Sequence, residues 1–270
     1  MARGPSKGYS IHIGLNGVDP DQYNGWPGTL AGCINDAKAM QKIASSSSLG
    51  YDTTMLTDED ATAQAVLDAV TNSGDTCVTG DILLLTYSGH GGQVDDVSGD
   101  EPDSQDETWV LWDRMLLDDE LYAALGQFAA GVRIFVLSDS CHSGTVLRDV
   151  YTQIPQFQPL AREYNLRPKR GTRELPQTLP AALRRIPADV QDQHVEANRA
   201  MYVRLKRAAK EAAPQASAIL ISGCQDNQLS ADGTKNGLFT EKLLQVWSDG
   251  AFAGDYPTFR STIVEKMPST

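Results

Sequence analysis

Cysteine is scarce in this chain: four residues in 270, at Cys33, Cys77, Cys141 and Cys224. No two form a CxxC pair, so the set suits neither the disulfide framework of a small secreted domain nor a zinc module. Long apolar runs are missing as well, and none approaches the roughly 20 residues that a membrane-spanning helix needs. No apolar stretch follows the basic start Met-Ala-Arg-Gly-Pro-Ser-Lys, so no secretory signal is read there. A cytoplasmic protein with free thiols and no membrane contact is the expectation. Basic residues are outnumbered 23 to 35, for a net charge of −12. Nucleic acid is therefore not an expected partner, whereas cations and basic peptides suit such a surface. With 41% hydrophobic and 21% charged residues, the composition is that of a globular protein able to bury a core.

What is present is an alternation of buried strands and helices. Residues 8–16 (GYSIHIGLN), 52–56, 81–87 (DILLLTY), 132–137 (VRIFVL) and 217–223 (SAILISG) read as strands, several of them continuous apolar runs. Helices are expected from Asn35-Asp36 onward, over 62–70 with a stop at Asn72-Ser73-Gly74, over 117–128, over 190–212 and over 238–247. This pattern predicts an α/β fold, with a mostly parallel central sheet covered by helices on both faces. Ligands in such sheets bind beyond the carboxyl ends of the strands. Two strand ends therefore stand out: Ser88-Gly89-His90-Gly91-Gly92 after DILLLTY, and Ser138-Asp139-Ser140-Cys141-His142-Ser143-Gly144 after VRIFVL.

A thiol near its free pKa is only a few per cent thiolate at neutral pH and needs a neighbouring base to act as a nucleophile. His90 and Cys141 both emerge over the same sheet edge, so Cys141 is the expected nucleophile and His90 the general base. The backbone N–H groups of Gly91 and Cys141 are the expected oxyanion donors. The competing reading of a lone Cys as a small core residue applies to the other three, and the single Cys-His pair at 141–142 has no second ligand pair at zinc spacing.

YSGHGG at 87–92 and DSCHSG at 139–144 resemble the paired His and Cys motifs of metacaspases and orthocaspases, caspase-like cysteine peptidases. GCINDA at 32–37, GDE at 99–101, DE at 106–107, LDDEL at 117–121 and SGCQDNQLSAD at 222–232 resemble segments of the same family in the same order. The separation of His90 and Cys141, 51 residues, also agrees with the spacing of about 50 in caspases. The resemblance implies a caspase-like three-layer sandwich, with a p20-like catalytic part (8–151) and a p10-like part (193–270) completing one domain. It further implies a cysteine endopeptidase that cuts protein or peptide substrates after Arg or Lys, with Asp36, Ser88 and Asp139 forming the S1 pocket. A helix N-cap is the competing role for Asp36. The chemistry needs no cofactor.

Between the two parts, residues 152–192 are Pro-rich and basic, and regular structure is not expected there. An Arg-rich linker in a peptidase for basic residues is a ready substrate for itself, with Lys169, Arg170, Arg173, Arg184 and Arg185 as candidate sites. The resemblance also implies calcium as an activator, at positions matching Asp106, Asp118 and Asp119. The fourth such position holds Arg148, with Asp149 next to it, which counts against a calcium site. Calcium, self-cleavage and an activating protein partner all stay open as triggers. The family's final strand falls about where the chain ends, so either the sequence is truncated or another element covers that sheet edge.

Overall fold

The computed structural model describes residues 6–95, 105–140, 183–209, 215–222, 232–233 and 235–267. Five strands form one parallel sheet: β1 (Gly8–Gly14), β2 (Asp52–Thr57), β3 (Ile82–Ser88), β7 (Arg133–Asp139) and β8 (Ser217–Ser222), in the order β2-β1-β3-β7-β8. The apolar runs of β3, β7 and β8 have the expected cause, because both faces of the sheet are covered. On one face Ile11, Ile13, Leu83, Leu85, Ile134 and Val136 pack with helices α2 (Ala63–Thr76) and α3 (Asp118–Leu125). On the other, Leu84, Leu137 and Ile221 meet α1 (Cys33–Ala44), α6 (Leu238–Trp247) and α7 (Tyr256–Lys266).

Beside this sheet lies a small antiparallel one of β4 (Gly91–Asp95), β5 (Gln105–Val110) and β6 (Met115–Leu117), which the sequence pattern did not reveal. It carries a third apolar cluster, in which Val18, Val94, Val110 and Met115 receive Ile186 and Tyr202. Tyr202 belongs to α5 (Arg199–Ala209), which follows α4 (Ala188–Ala197). Among the described residues no helix is long and apolar enough to cross a membrane.

Several local expectations are corrected. Helix α1 starts at Cys33 rather than at Asn35-Asp36, so Asp36 is not its cap but sits in its first turn, buried. The exposed N–H groups there are satisfied from a distance: Asn16 Oδ1 accepts from Cys33 and Ile34 (3.0 and 3.3 Å), and Asp232 accepts from Ala31 and Gly32 (2.6 and 3.1 Å). Helix α2 runs through Asn72-Ser73-Gly74, and within it Ser73 and Thr76 return their hydroxyls to carbonyls four residues back. The helix expected over 190–212 is broken at Asn198, whose side chain donates to the His194 carbonyl (2.9 Å) at the end of α4. Regular structure resumes at Ala188, inside the stretch read as irregular. The last described element is helix α7, not a strand.

Candidate active site

The parallel ladder places Ser88 of β3 directly beside Asp139 of β7. Both strands therefore end at one sheet edge, and His90 follows two residues past Ser88. Cys141 itself lies outside the described residues, as do Asp149, Lys169, Arg170 and Arg173.

His90 is 5% exposed, tilted against Trp26 with ring centroids 4.7 Å apart, and its Nε2 lies 3.0 Å from the Gly28 carbonyl. A carbonyl can only accept, so Nε2 carries the proton and Nδ1 keeps its lone pair. Nδ1 is buried and accepts no hydrogen bond among the described residues. Burial lowers the His90 pKa to about 4, against the smaller opposing pull of the Gly28 carbonyl. The imidazole is thus a neutral base at ordinary pH. The Tyr87 hydroxyl, 2.6 Å from the His90 carbonyl, holds the backbone at this point. Of the other cysteines, Cys33 and Cys77 are buried free thiols pushed up to about 12 and about 11 by burial, so they stay protonated.

Asp36, Ser88 and Asp139 do converge, and their pocket is filled by the chain's own Arg184, whose side chain has no exposed surface. Its Nη1 donates to Ser88 Oγ (2.7 Å) and lies 3.0 Å from Asp139 Oδ2. Its Nη2 bridges Asp36 Oδ2 (2.8 Å) and Asp232 Oδ1 (2.9 Å). Burial opposes the guanidinium charge, but Asp139 and Asp36 outweigh it and hold the pKa well above the usual arginine value. Burial, and then Asp139, raises the Asp36 pKa. The carboxylates are themselves held in place. Asp36 Oδ1 accepts from Asn236 and the Gly237 N–H (2.8 and 3.1 Å), and Asp139 Oδ2 accepts from Thr240 Oγ1 (2.8 Å). A Cβ on Gly237 would come within 2.5 Å of the Arg184 guanidinium carbon, so glycine here leaves the guanidinium room to sit among its carboxylates.

The backbone of Arg184 is held as closely as its side chain. The Gly91 N–H donates to the Arg184 carbonyl (3.0 Å) and the Ile186 N–H to the Gly91 carbonyl (3.1 Å). The 184–185 peptide bond is therefore pinned on both sides, next to His90. Arg185, by contrast, points to solvent. Sequence reasoning missed Asp232, Trp26 and the Gly28 carbonyl. Asp232 ends the SGCQDNQLSAD segment, which was a usable signal, whereas nothing in the loop over 17–32 marked the other two.

The positions matched to calcium are arranged otherwise. Asp106 is buried and ion-paired with Lys206 of α5, and Asp118 and Asp119 open α3, with the Asp118 carboxylate accepting from the Asp119 N–H (2.9 Å). Among the described residues no three His, Cys, Asp or Glu side chains gather closely enough to hold a metal ion. A calcium ion takes six to eight oxygens, so these residues as placed do not fit one.

Comparison with known proteins agrees with this architecture. The family model described as caspase domain matches residues 18–267. Metacaspase-1 of Schizosaccharomyces pombe is 31% identical over 252 residues, covering 87% of this chain and 57% of that protein. Metacaspase-1 of Kluyveromyces lactis is 30% identical, covering 84% and 55%. The chain thus spans little more than half the length of these relatives. The crystal structure of protein GSU0716 from Geobacter sulfurreducens superposes with a TM-score of 0.78 at 44% identity, covering 97% of this chain and 89% of that one. The sheet, its helical layers and these matches together show a caspase-like three-layer fold, and the chain belongs to the caspase-domain family.

Proposed function

We propose that this protein is a cysteine endopeptidase that cuts after Arg, and less readily Lys, and that its first substrate is its own Arg184–Arg185 bond. One observation carries the reading. Arg184 has its side chain among three carboxylates and its carbonyl on the Gly91 N–H beside a neutral His90, which is how a substrate must lie for attack. A planar cation that meets several fixed oxygens favours Arg over Lys.

In the mechanism, the Cys141 thiol gives its proton to His90 Nδ1 and its sulfur bonds to the Arg184 carbonyl carbon. The oxyanion is held by the Gly91 N–H, with the Cys141 N–H as the second donor. His90 then returns the proton to the Arg185 nitrogen as the C–N bond breaks, leaving a thioester. Water gives a proton to His90 Nδ1 and attacks the thioester carbonyl, and as the C–S bond breaks His90 returns that proton to the sulfur and restores the thiol. The pocket is then free for other basic peptides once the Arg184 side chain withdraws.

The test compares wild type with Cys141→Ala by intact mass, N-terminal sequencing and turnover of peptides ending in Arg, Lys or Asp. Expected are a fragment starting at Arg185, made only by wild type, and a preference of Arg over Lys with no cleavage after Asp. Full turnover by Cys141→Ala, or cleavage without basic preference, would overturn the reading.

A further inference from the structure

Lys206 is 1% exposed, and its ammonium pairs with Asp106, itself 2% exposed. A buried lysine is costly unless a carboxylate meets it, so the pair acts as a unit. Its surroundings are acidic. Asp118 and Asp119 follow Leu117, whose register partner Thr108 is two residues from Asp106, and the α3 helix they open packs on α5, which carries Lys206. These are the three positions that the resemblance matches to calcium, and Lys206 pairs with one of them. The ammonium is supplied by the segment directly after the Arg184–Arg185 bond. That segment is fastened again by Tyr202, whose hydroxyl accepts from the Met115 N–H (3.2 Å), and by His194, stacked on Tyr23 at 4.6 Å.

We propose that Lys206 is a built-in cation: its ammonium takes the place of calcium at Asp106, fixes α5 to β5 and α3, and frees the chain from any need for calcium. The charge comes from the polypeptide, so it cannot dissociate, and chelators cannot remove it. It also ties the segment beyond residue 185 to the p20-like part independently of the backbone that self-cleavage would cut.

The test uses the full chain carrying Cys141→Ala, so that its outcome does not depend on the proposed peptidase activity. Scanning calorimetry is run in millimolar CaCl₂ and in EGTA. The parent should melt at the same temperature in both. Lys206→Met should melt on the order of 10 °C lower in EGTA and regain part of that loss in calcium, which a merely structural lysine would not cause. Calcium stabilisation of the parent would overturn the proposal, as would a Lys206→Met variant that melts like the parent or ignores calcium. If Lys206→Met does not fold, the double variant Lys206→Met/Asp106→Asn, which removes both charges, must fold and ignore calcium. Its failure to do so would also overturn the proposal.

Discussion

Replacing Arg184 by Gln tests whether the filled pocket is a substrate complex. The guanidinium meets Ser88 Oγ at 2.7 Å, Asp36 at 2.8 Å, Asp232 at 2.9 Å and Asp139 at 3.0 Å. A hydrogen bond to a charged group contributes about 1.5–3 kcal/mol. Gln can still donate to one oxygen, but it brings no positive charge to three buried carboxylates. Losing two such bonds in the transition state costs about 3–6 kcal/mol, or roughly a hundred- to ten-thousand-fold in rate. Lys in the same place keeps the charge but reaches fewer oxygens, so a loss of about tenfold is expected. The assay follows the fragment beginning at Arg185 by mass spectrometry over time, at several protein concentrations. The wild-type rate should be first order and independent of concentration, because the bond already lies against Gly91 of the same chain. If Arg184→Gln yielded that fragment within tenfold of the wild-type rate, the pocket contacts would not contribute to catalysis and the reasoning would fail.

Two further outcomes follow from the same residues. Asp232→Asn removes one of the carboxylates on the P1 guanidinium and weakens the hold on the α1 N-terminus, so kcat/KM for Arg peptides should fall about 10–100-fold with His90 chemistry intact. An unchanged Arg-to-Lys preference and rate would exclude Asp232 from the pocket. Burial lowers both His12, held between Ser10 and Thr86, and His90 from 6.5 to about 4. Above pH 6.5 both states are neutral. Below it the unfolded chain binds protons that the folded one refuses, so stability falls as pH drops from 6.5 toward 4, by up to about 3 kcal/mol per histidine. Urea unfolding of Cys141→Ala at neutral and mildly acid pH checks this, and a constant midpoint would contradict it.

The strands were legible because a parallel sheet with both faces covered demands continuous apolar runs. DILLLTY and VRIFVL announce themselves without any neighbour in view. The strand-end rule then pointed to the segments that hold His90, Ser88 and Asp139, the family resemblance put Ser88 and Asp139 in one pocket, and helix α6 ran from Leu238 to Trp247 as read. The small sheet was not legible, since its strands are short and β4 and β5 carry acidic residues. Nor was the start of α1, which is capped by Asn16 and by Asp232, 201 residues from Ala31.

The proposed nucleophile and base, Cys141 and His90, were read from the sequence alone, because each sits beside a strong local pattern. The sequence also proposed Arg184 among several linker residues. Only the tertiary structure set Arg184, 148 residues from Asp36, into the acidic pocket with its carbonyl on Gly91. Only the structure joined Lys206 to Asp106. Such contacts depend on where distant segments meet once the layers close, and a local pattern carries no record of that meeting.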